Sequence, residues 1–303
     1  MHQTESQAQI FTLQNDTINL DLIFTSGQTF RWIKDTESGF WQGVLGKSVL
    51  FLKQIREDQI AWYSPNDLSL TEERLVEFFH LDVNLSSLFQ QWNKDKNISS
   101  KSKQKAGLRL LRQDPNETIF SFICSSNNNI KRISKMVDSL AKKYGQMIWK
   151  SPESERCFYA FPTPKDLLKE PQNLQQELLE LGFGYRAKFI YASALHMHNE
   201  WNFPLSSLRP MPYDELSALL QLLPGVGRKV SDCISLMSCD QFDIVPIDIH
   251  MYNISKRDYR IPTTGSTKTL SKKDYTTITE FFKQRFGEFA GWAQLILFAS
   301  DLR

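Results

Sequence analysis

The sequence predicts an α+β protein: a β-rich N-terminal part followed by a mainly helical body. Two observations carry this. From about Leu20 to Ser64, short apolar runs rich in Phe, Trp, Ile and Val are broken by Gly, Asp and Ser, the period-2 texture of antiparallel strands in a half-buried sheet. From Thr71 onward, apolar residues recur at three- and four-residue spacing, the period of amphipathic helices. A chain of 303 residues, 41% of them hydrophobic, buries a sizeable core without disulfides or metals. We place the division near residue 105, with a β-rich domain over 1–105 and a helical domain over 106–303.

In chain order, LDLIFTSGQTFRWI, GFWQGVL, SVLFLKQI and IAWYS supply the predicted strands. TEERLVEFFHL opens the helical pattern. Lys94 to Arg112 holds seven Lys/Arg and a single Asp, which suits a solvated linker or helix face and offers a phosphate contact as the alternative. ETIFSFICSSNNNIKRISKMVDSLAKKYG, LQQELLELGF, RAKFIYASALHMHNEW and DYTTITEFFKQRFGEFAGWAQLILFAS are the remaining helical stretches. The polar stretch from Tyr259 to Lys273 fits no recognised block.

The 36 Lys+Arg against 34 Asp+Glu leave a net charge of +2, so any polyanionic partner must be argued from where charges sit. No apolar run approaches the roughly 20 residues that span a bilayer, and no membrane partner is expected. Cys124, Cys157, Cys233 and Cys239 form no C-x-x-C pair, which argues against zinc and iron–sulfur sites. No metal and no cofactor are expected. The start MHQTESQAQIFTLQ lacks a basic region leading into an apolar core, so an intracellular, reducing setting is expected.

The most informative segment is YDELSALLQLLPGVGRKVSDCISLMSC, a hairpin over 213–239. Tyr213 to Leu222 reads as one helix, Leu223 to Gly227 as a tight turn and Arg228 to Cys239 as a second helix. Gly225 and Gly227 let the backbone turn and leave amides exposed at the second helix's start, an anion site suited to a DNA phosphate. An ordinary αα-hairpin is the plainer alternative. Lys229 lies in the positive first turn beside Arg228; both neighbours favour its neutral, nucleophilic amine, whereas a simple phosphate-binding cation is the other reading. Asp248 is its candidate partner. The second helix runs roughly 18 Å and the eight residues to Ile247 span roughly 26 Å extended, so the chain can return Asp248 to the helix start. An Asp just before IHMYNISKRDY also suits a helix N-cap, and both roles can hold together. Cys233 shares a face with Lys229, and Asp232 is as plausible a neighbour on spacing alone.

These residues resemble the helix-hairpin-helix (HhH-GPD) DNA glycosylases, and within them the eukaryotic-type 8-oxoguanine DNA glycosylase/AP lyase. The resemblance is carried by SGQTFRW, FFHLDV, LRLLRQDP, FSFICSSNNNI, LGFGYRAK, LPGVGRKVSDCISLM, VPIDIHM and AGWAQLILFASDLR, ordered along almost the whole chain. It implies a twisted, TBP-like N-terminal antiparallel sheet and a helical glycosylase body. Lys229 resembles the nucleophile that attacks the sugar C1′ and forms a Schiff base, and Asp248 the carboxylate that activates it and steadies positive charge on the sugar. Monofunctional relatives lack the lysine.

The resemblance further implies a pocket for a flipped base. Cys233 and Phe298 would sandwich the base, Gln294 would bond its Watson–Crick edge, and the Gly27 carbonyl would accept the N7 hydrogen that 8-oxoguanine has and guanine lacks. Guanine would instead oppose acceptor to acceptor, a mismatch of about 1–3 kcal/mol. Asn127, Arg132 and Arg186 match contacts to the cytosine opposite, Tyr185 matches the wedge in the stack, and His250 matches a phosphate contact. Bland readings stand beside these: capping chemistry for the Asn127–Asn129 run, core packing for Phe298, a satisfied histidine at His250. Lys131 and Arg228 depart from the family pattern and add positive charge.

The implied partner is double-stranded DNA containing 8-oxoguanine opposite cytosine, bound by a monomer, with a nuclear location. Formamidopyrimidine is an expected second substrate. The alternatives are a non-catalytic damaged-DNA-binding protein and a glycosylase for another modified base.

Overall fold

The structure is a computed structural model that describes residues 8–264 and 270–302; the opening heptapeptide of the predicted untagged start and the centre of the polar stretch 259–273 lie outside the described residues. Its N-terminal part holds a five-stranded antiparallel sheet with the order β1-β5-β4-β3-β2. The strands are β1 (Gln9–Thr12), β2 (Ile33–Lys34), β3 (Trp41–Leu45), β4 (Ser48–Arg56) and β5 (Gln59–Tyr63). The β3/β4 turn pairs Leu45 with Ser48, and Gly46 at its tip takes φ +66°, a left-handed conformation suited to glycine.

Two features depart from the predicted half-buried sheet. The run LDLIFT is not a strand but a short helix, α1 (Leu20–Thr25). Asn19 caps it by accepting the Leu22 amide at 3.0 Å, and Leu20, Ile23 and Phe24 repeat at helical spacing toward the core. In a run this short an Asn cap decides between the two periods. The second departure is β4, which is buried on both faces. Leu50 and Leu52 join the main core, while Val49 and Phe51 join a smaller cluster with Phe40, Tyr63 and Phe158. The outer face is closed by a two-stranded hairpin, β6 (Met147–Lys150) and β7 (Cys157–Tyr159), so that β4 reads as a continuous apolar run.

The helices follow in order. The sheet leads into α2 (Glu72–Phe78), α3 (Leu85–Gln91) and α4 (Lys96–Ser99). The body contains α5 (Pro115–Ser125), α6 (Ile130–Tyr144), α7 (Pro164–Leu167), α8 (Pro171–Glu180), α9 (Arg186–Glu200), α10 (Tyr213–Leu220), α11 (Arg228–Ser238), α12 (Ile249–Arg257), α13 (Lys272–Phe286) and α14 (Ala290–Asp301). The last predicted helical stretch is broken at Gly287, whose φ of +66° ends α13 before α14 begins. One core cluster runs from Leu13 and Trp62 through Phe120, Leu236 and Trp292, joining sheet and body.

The basic run 94–112 also needs correction. Lys94, Lys96 and Lys103 are exposed, as a solvated run requires, but Arg109 is wholly buried and Arg112 pairs with Asp240 at 3.0 Å. These two arginines hold the protein together instead of facing DNA.

Candidate active site

A cavity of about 750 Å³ opens where α1's end, the α5–α6 turn, α11, α12 and α14 converge. That volume suits a small-molecule-sized guest such as a nucleobase. From α11 it receives Lys229, Cys233 and Met237, four residues apart and therefore on one face. From α14 it receives Gln294 and Phe298, again four apart. Gly27, Asn127, Asp248 and His250 complete the set of predicted residues that line it.

The hairpin that presents α11 forms as its sequence implies, but its two glycines do different work. Gly225 takes φ +88°, and a Cβ there would lie 2.9 Å from the Cβ and Cγ of Phe189. Gly227 adopts extended backbone at φ −94° with open space around it, and as N-cap it supplies no side-chain bond to the first turn of α11. Those amides stay free of side-chain caps, as an anion site requires. Gly225→Ala is therefore expected to destabilise the fold by about 2 kcal/mol or more, from left-handed strain plus overlap. Gly227→Ala should melt within about 0.5 kcal/mol of the parent. Paired urea titrations check the contrast, and equal losses would contradict it.

Lys229 is half-buried, with its ammonium 5.5 Å from the centre of the Phe122 ring. Arg228 points elsewhere: its guanidinium stacks 4.3 Å over Tyr275 and donates to Thr276 at 2.9 Å. Cys233 is buried, which pushes its thiol up to about 11 despite the neighbouring Lys229, so the pocket wall is an uncharged thiol at neutral pH. Asp232 is the neighbour that spacing left open. It faces away from the cavity, accepting Tyr213 and Tyr275 phenols at 2.6 and 2.5 Å.

Asp248 caps α12, its Oδ1 accepting the Met251 amide at 2.9 Å. The cap role is present, and the same carboxylate lines the cavity with Lys229. His250 sits in the first turn of α12, bonded through Nδ1 to Asp301 at 2.9 Å and T-shaped to Phe298, the ring centroids 5.5 Å apart. Asp301 also takes Arg257 at 2.9 Å. Burial works against that carboxylate, but the bonds from His250 and Arg257 hold it below the usual carboxylate range.

The base-recognition candidates are held from behind. Gly27 takes φ +79°, against Ile130 and Phe298. Next to it the buried Gln28 side chain donates to the Arg109 carbonyl at 3.0 Å and accepts the Leu111 amide at 2.8 Å. Gln113 donates to the Gln28 carbonyl at 2.8 Å. This bracket fixes where the Gly27 carbonyl lies. Gln294 is buried, and its Oε1 has no hydrogen-bond partner among the described residues. A buried unpaired amide oxygen on a cavity wall is poised for a donor on a guest.

The other predicted DNA contacts cluster at the α5–α6 turn. Two of the three asparagines are structural: Asn129 caps α6 through the Arg132 amide at 3.0 Å, and Asn128 donates to the Cys124 carbonyl at 2.9 Å. Asn127 is exposed in a left-handed conformation, φ 48°, on the cavity rim. Tyr185, 47% exposed, donates to the Ser126 carbonyl at 2.8 Å. Arg132 is exposed and reaches the Gly182 carbonyl at 3.2 Å. Arg186 is nearly wholly buried, stacked on Tyr185 and bonded to the Ser126 and Asn127 carbonyls. In this conformation Arg186 shapes the turn that carries Asn127. Gln28, Asp301 and Tyr275 had no signal in their spacing; each acts through partners remote in sequence.

Residues 120–280 match the family described as HhH-GPD superfamily base excision DNA repair protein. Residues 10–119 match the 8-oxoguanine DNA glycosylase N-terminal domain. The chain is 36% identical to the N-glycosylase/DNA lyase OGG1 of Arabidopsis thaliana, over 96% of this chain and 79% of that protein. It is 32% identical to the N-glycosylase/DNA lyase of Saccharomyces cerevisiae, over 92% and 82%. The Clostridium acetobutylicum 8-oxoguanine glycosylase/lyase, solved with double-stranded DNA carrying cytosine opposite 8-oxoguanine, superposes with a TM-score of 0.80 at 26% identity, covering 96% of this chain and 97% of that one. The chain belongs to the 8-oxoguanine DNA glycosylase family.

Proposed function

We propose that the protein excises 8-oxoguanine opposite cytosine from double-stranded DNA and then nicks the strand, with Lys229 as nucleophile and Asp248 as its carboxylate partner. One observation carries this reading: a single cavity gathers Lys229, Asp248 and the unpaired Gln294 amide. The names of the relatives, N-glycosylase/DNA lyase, support both halves of the activity.

The chemistry follows from the groups. An extruded 8-oxoguanine inserts between Cys233 and Phe298; Gln294 Oε1 accepts from the Watson–Crick N–H groups, and the Gly27 carbonyl accepts the N7 hydrogen. The Lys229 amine attacks C1′ as the glycosidic bond breaks, its electrons leaving with the base, which takes up a proton. Asp248 offsets the positive charge that develops on the sugar. The aminal so formed then opens: C1′–O4′ breaks, O4′ takes up a proton and the nitrogen lone pair closes the C1′ iminium, which acidifies C2′–H; loss of that proton expels the 3′ phosphate by β-elimination. Formamidopyrimidine presents a similar Watson–Crick edge and should also be removed.

Incubation with labelled duplexes containing 8-oxoguanine, formamidopyrimidine or a methylpurine opposite cytosine tests the reading. Excision and nicking should be fastest for 8-oxoguanine. Binding without product would indicate a non-catalytic damage-binding protein, and preference for the methylpurine a different base specificity. Asp248→Asn sharpens the assignment, because asparagine still caps α12. Single-turnover excision is expected to fall about 100-fold with DNA affinity retained. An unchanged rate would leave Asp248 as a helix cap alone.

A further inference from the structure

Helix α11 has two working faces. Lys229, Cys233 and Met237 line the cavity, while Asp232, 1% exposed, points into the protein behind it. Its carboxylate joins three helices: Oδ1 accepts Tyr213 of α10 at 2.6 Å, and Oδ2 accepts Tyr275 of α13 at 2.5 Å. The Tyr275 phenol makes a second bond, accepting the buried Ile247 amide at 3.2 Å. A phenol has one proton, and here it goes to Asp232, so the Ile247 N–H must be the donor to the phenol oxygen. Ile247 immediately precedes Asp248. Arg228 stacks on the Tyr275 ring and donates to the adjacent Thr276, fixing the ring from the hairpin side.

We propose that Tyr275 is a positioning residue for Asp248, tying the backbone just before that carboxylate to the helix that carries Lys229. The inference rests on the reading of Asp248 as the catalytic carboxylate. The Asp248 side chain makes one hydrogen bond among the described residues, Oδ1 accepting the Met251 amide at the α12 cap, and nothing bonds Oδ2; its backbone carbonyl accepts the Tyr252 amide within α12. Its height relative to Lys229 is therefore set by the main chain on either side: the cap after it, and the amide held by Tyr275 before it. The α11–α12 connection has no regular structure of its own, so Asp232, Tyr275 and Ile247 form a bonded path from the lysine's helix to the carboxylate's backbone. Reaction rates respond steeply to displacements of this kind.

Tyr213 provides an internal control. It gives Asp232 a comparable bond yet makes none to the 247–248 backbone. Single-turnover excision from an 8-oxoguanine:cytosine duplex, with affinity measured separately, is compared for the parent, Tyr275→Phe, Tyr213→Phe, Asp248→Asn and the Tyr275→Phe/Asp248→Asn double variant. Tyr275→Phe should slow the chemical step about tenfold with affinity unchanged. Tyr213→Phe should stay within about twofold of the parent, and the double variant should be no slower than Asp248→Asn, because the two changes act on one carboxylate.

A parental rate for Tyr275→Phe, equal losses in both tyrosine variants, or multiplied losses in the double variant overturns the proposal. If Asp248→Asn itself keeps the parental rate, the reading of Asp248 fails and takes this inference with it; if it is slow while Tyr275→Phe is not, only the inference fails. Should Tyr275→Phe not fold, Asp232→Asn keeps the phenol and weakens its anchor. It is expected to slow excision about threefold, and a parental rate there overturns the proposal as well.

Discussion

A Lys229→Gln protein is expected to bind an 8-oxoguanine:cytosine duplex as the parent does, yet to form no covalent adduct on borohydride treatment and no nicked strand. Glutamine is one atom shorter than lysine but keeps an unbranched polar side chain beside the Phe122 ring and leaves the hairpin backbone untouched, so the uncapped amides at the start of α11 remain. What it removes is the amine that we propose as the nucleophile. Loss of a nucleophile that acts as one unit with its partner costs about 10,000-fold or more in the chemical step. Borohydride reduces an iminium to a stable secondary amine, so the trapped band reports the Schiff base itself. Persistence of that band in Lys229→Gln would mean that another amine attacks C1′. Loss of DNA binding together with the band would instead favour Lys229 as a phosphate-binding cation. The cavity argues for the nucleophile: Lys229 shares it with Asp248 and with the unpaired Gln294 amide.

Much of this site was legible because its members lie on helices, where four-residue spacing fixes a common face. Lys229 with Cys233, and Gln294 with Phe298, follow that rule and do line one cavity. The hairpin was legible for a similar local reason, since the turn needs a left-handed residue and Gly225 supplies it. Local patterns failed where tertiary contacts decide. α1 reads as a strand until Asn19 is recognised as its cap, and β4 reads as half-buried until the β6–β7 hairpin closes its outer face. Asp232 and Cys233 were equal neighbours of Lys229 by spacing; only the two tyrosines, from α10 and α13, show which way Asp232 turns. The basic run misled most, because charge counts cannot separate a solvated lysine from a buried arginine.

That arginine carries the largest stability prediction. All five N–H groups of Arg109 have acceptors: Asp16 at 2.9 Å, the carbonyls of Thr17, Phe79 and His80 at 3.2, 3.0 and 2.8 Å, and the Val83 carbonyl. Asp16 in turn accepts the Leu85 and Ser86 amides at the start of α3. The two residues, 93 positions apart in sequence, therefore clamp the chain after β1 to the segment joining α2 and α3. Arg109→Met strands a buried carboxylate and four carbonyls, and is expected to cost about 3–5 kcal/mol. In a chain of this size that lowers the melting temperature by about 5–8 °C. Adding Asp16→Leu should recover part of the loss, since the stranded charge goes with it. Burial alone would raise the Asp16 carboxyl, but Arg109 and the Leu85 and Thr17 amides outweigh it and hold it below the ordinary carboxylate value. A depressed native pKa contributes stability that is present above the unfolded value, about pH 4, and is lost as pH falls through the native one. The parent should accordingly lose this contribution in acid, while the double variant, lacking the carboxylate, should show a shallower acid dependence as pH falls below about 4. Thermal melts across that range test both statements; a loss below about 1 kcal/mol in Arg109→Met would show that the clamp is not what secures the N-terminal sheet.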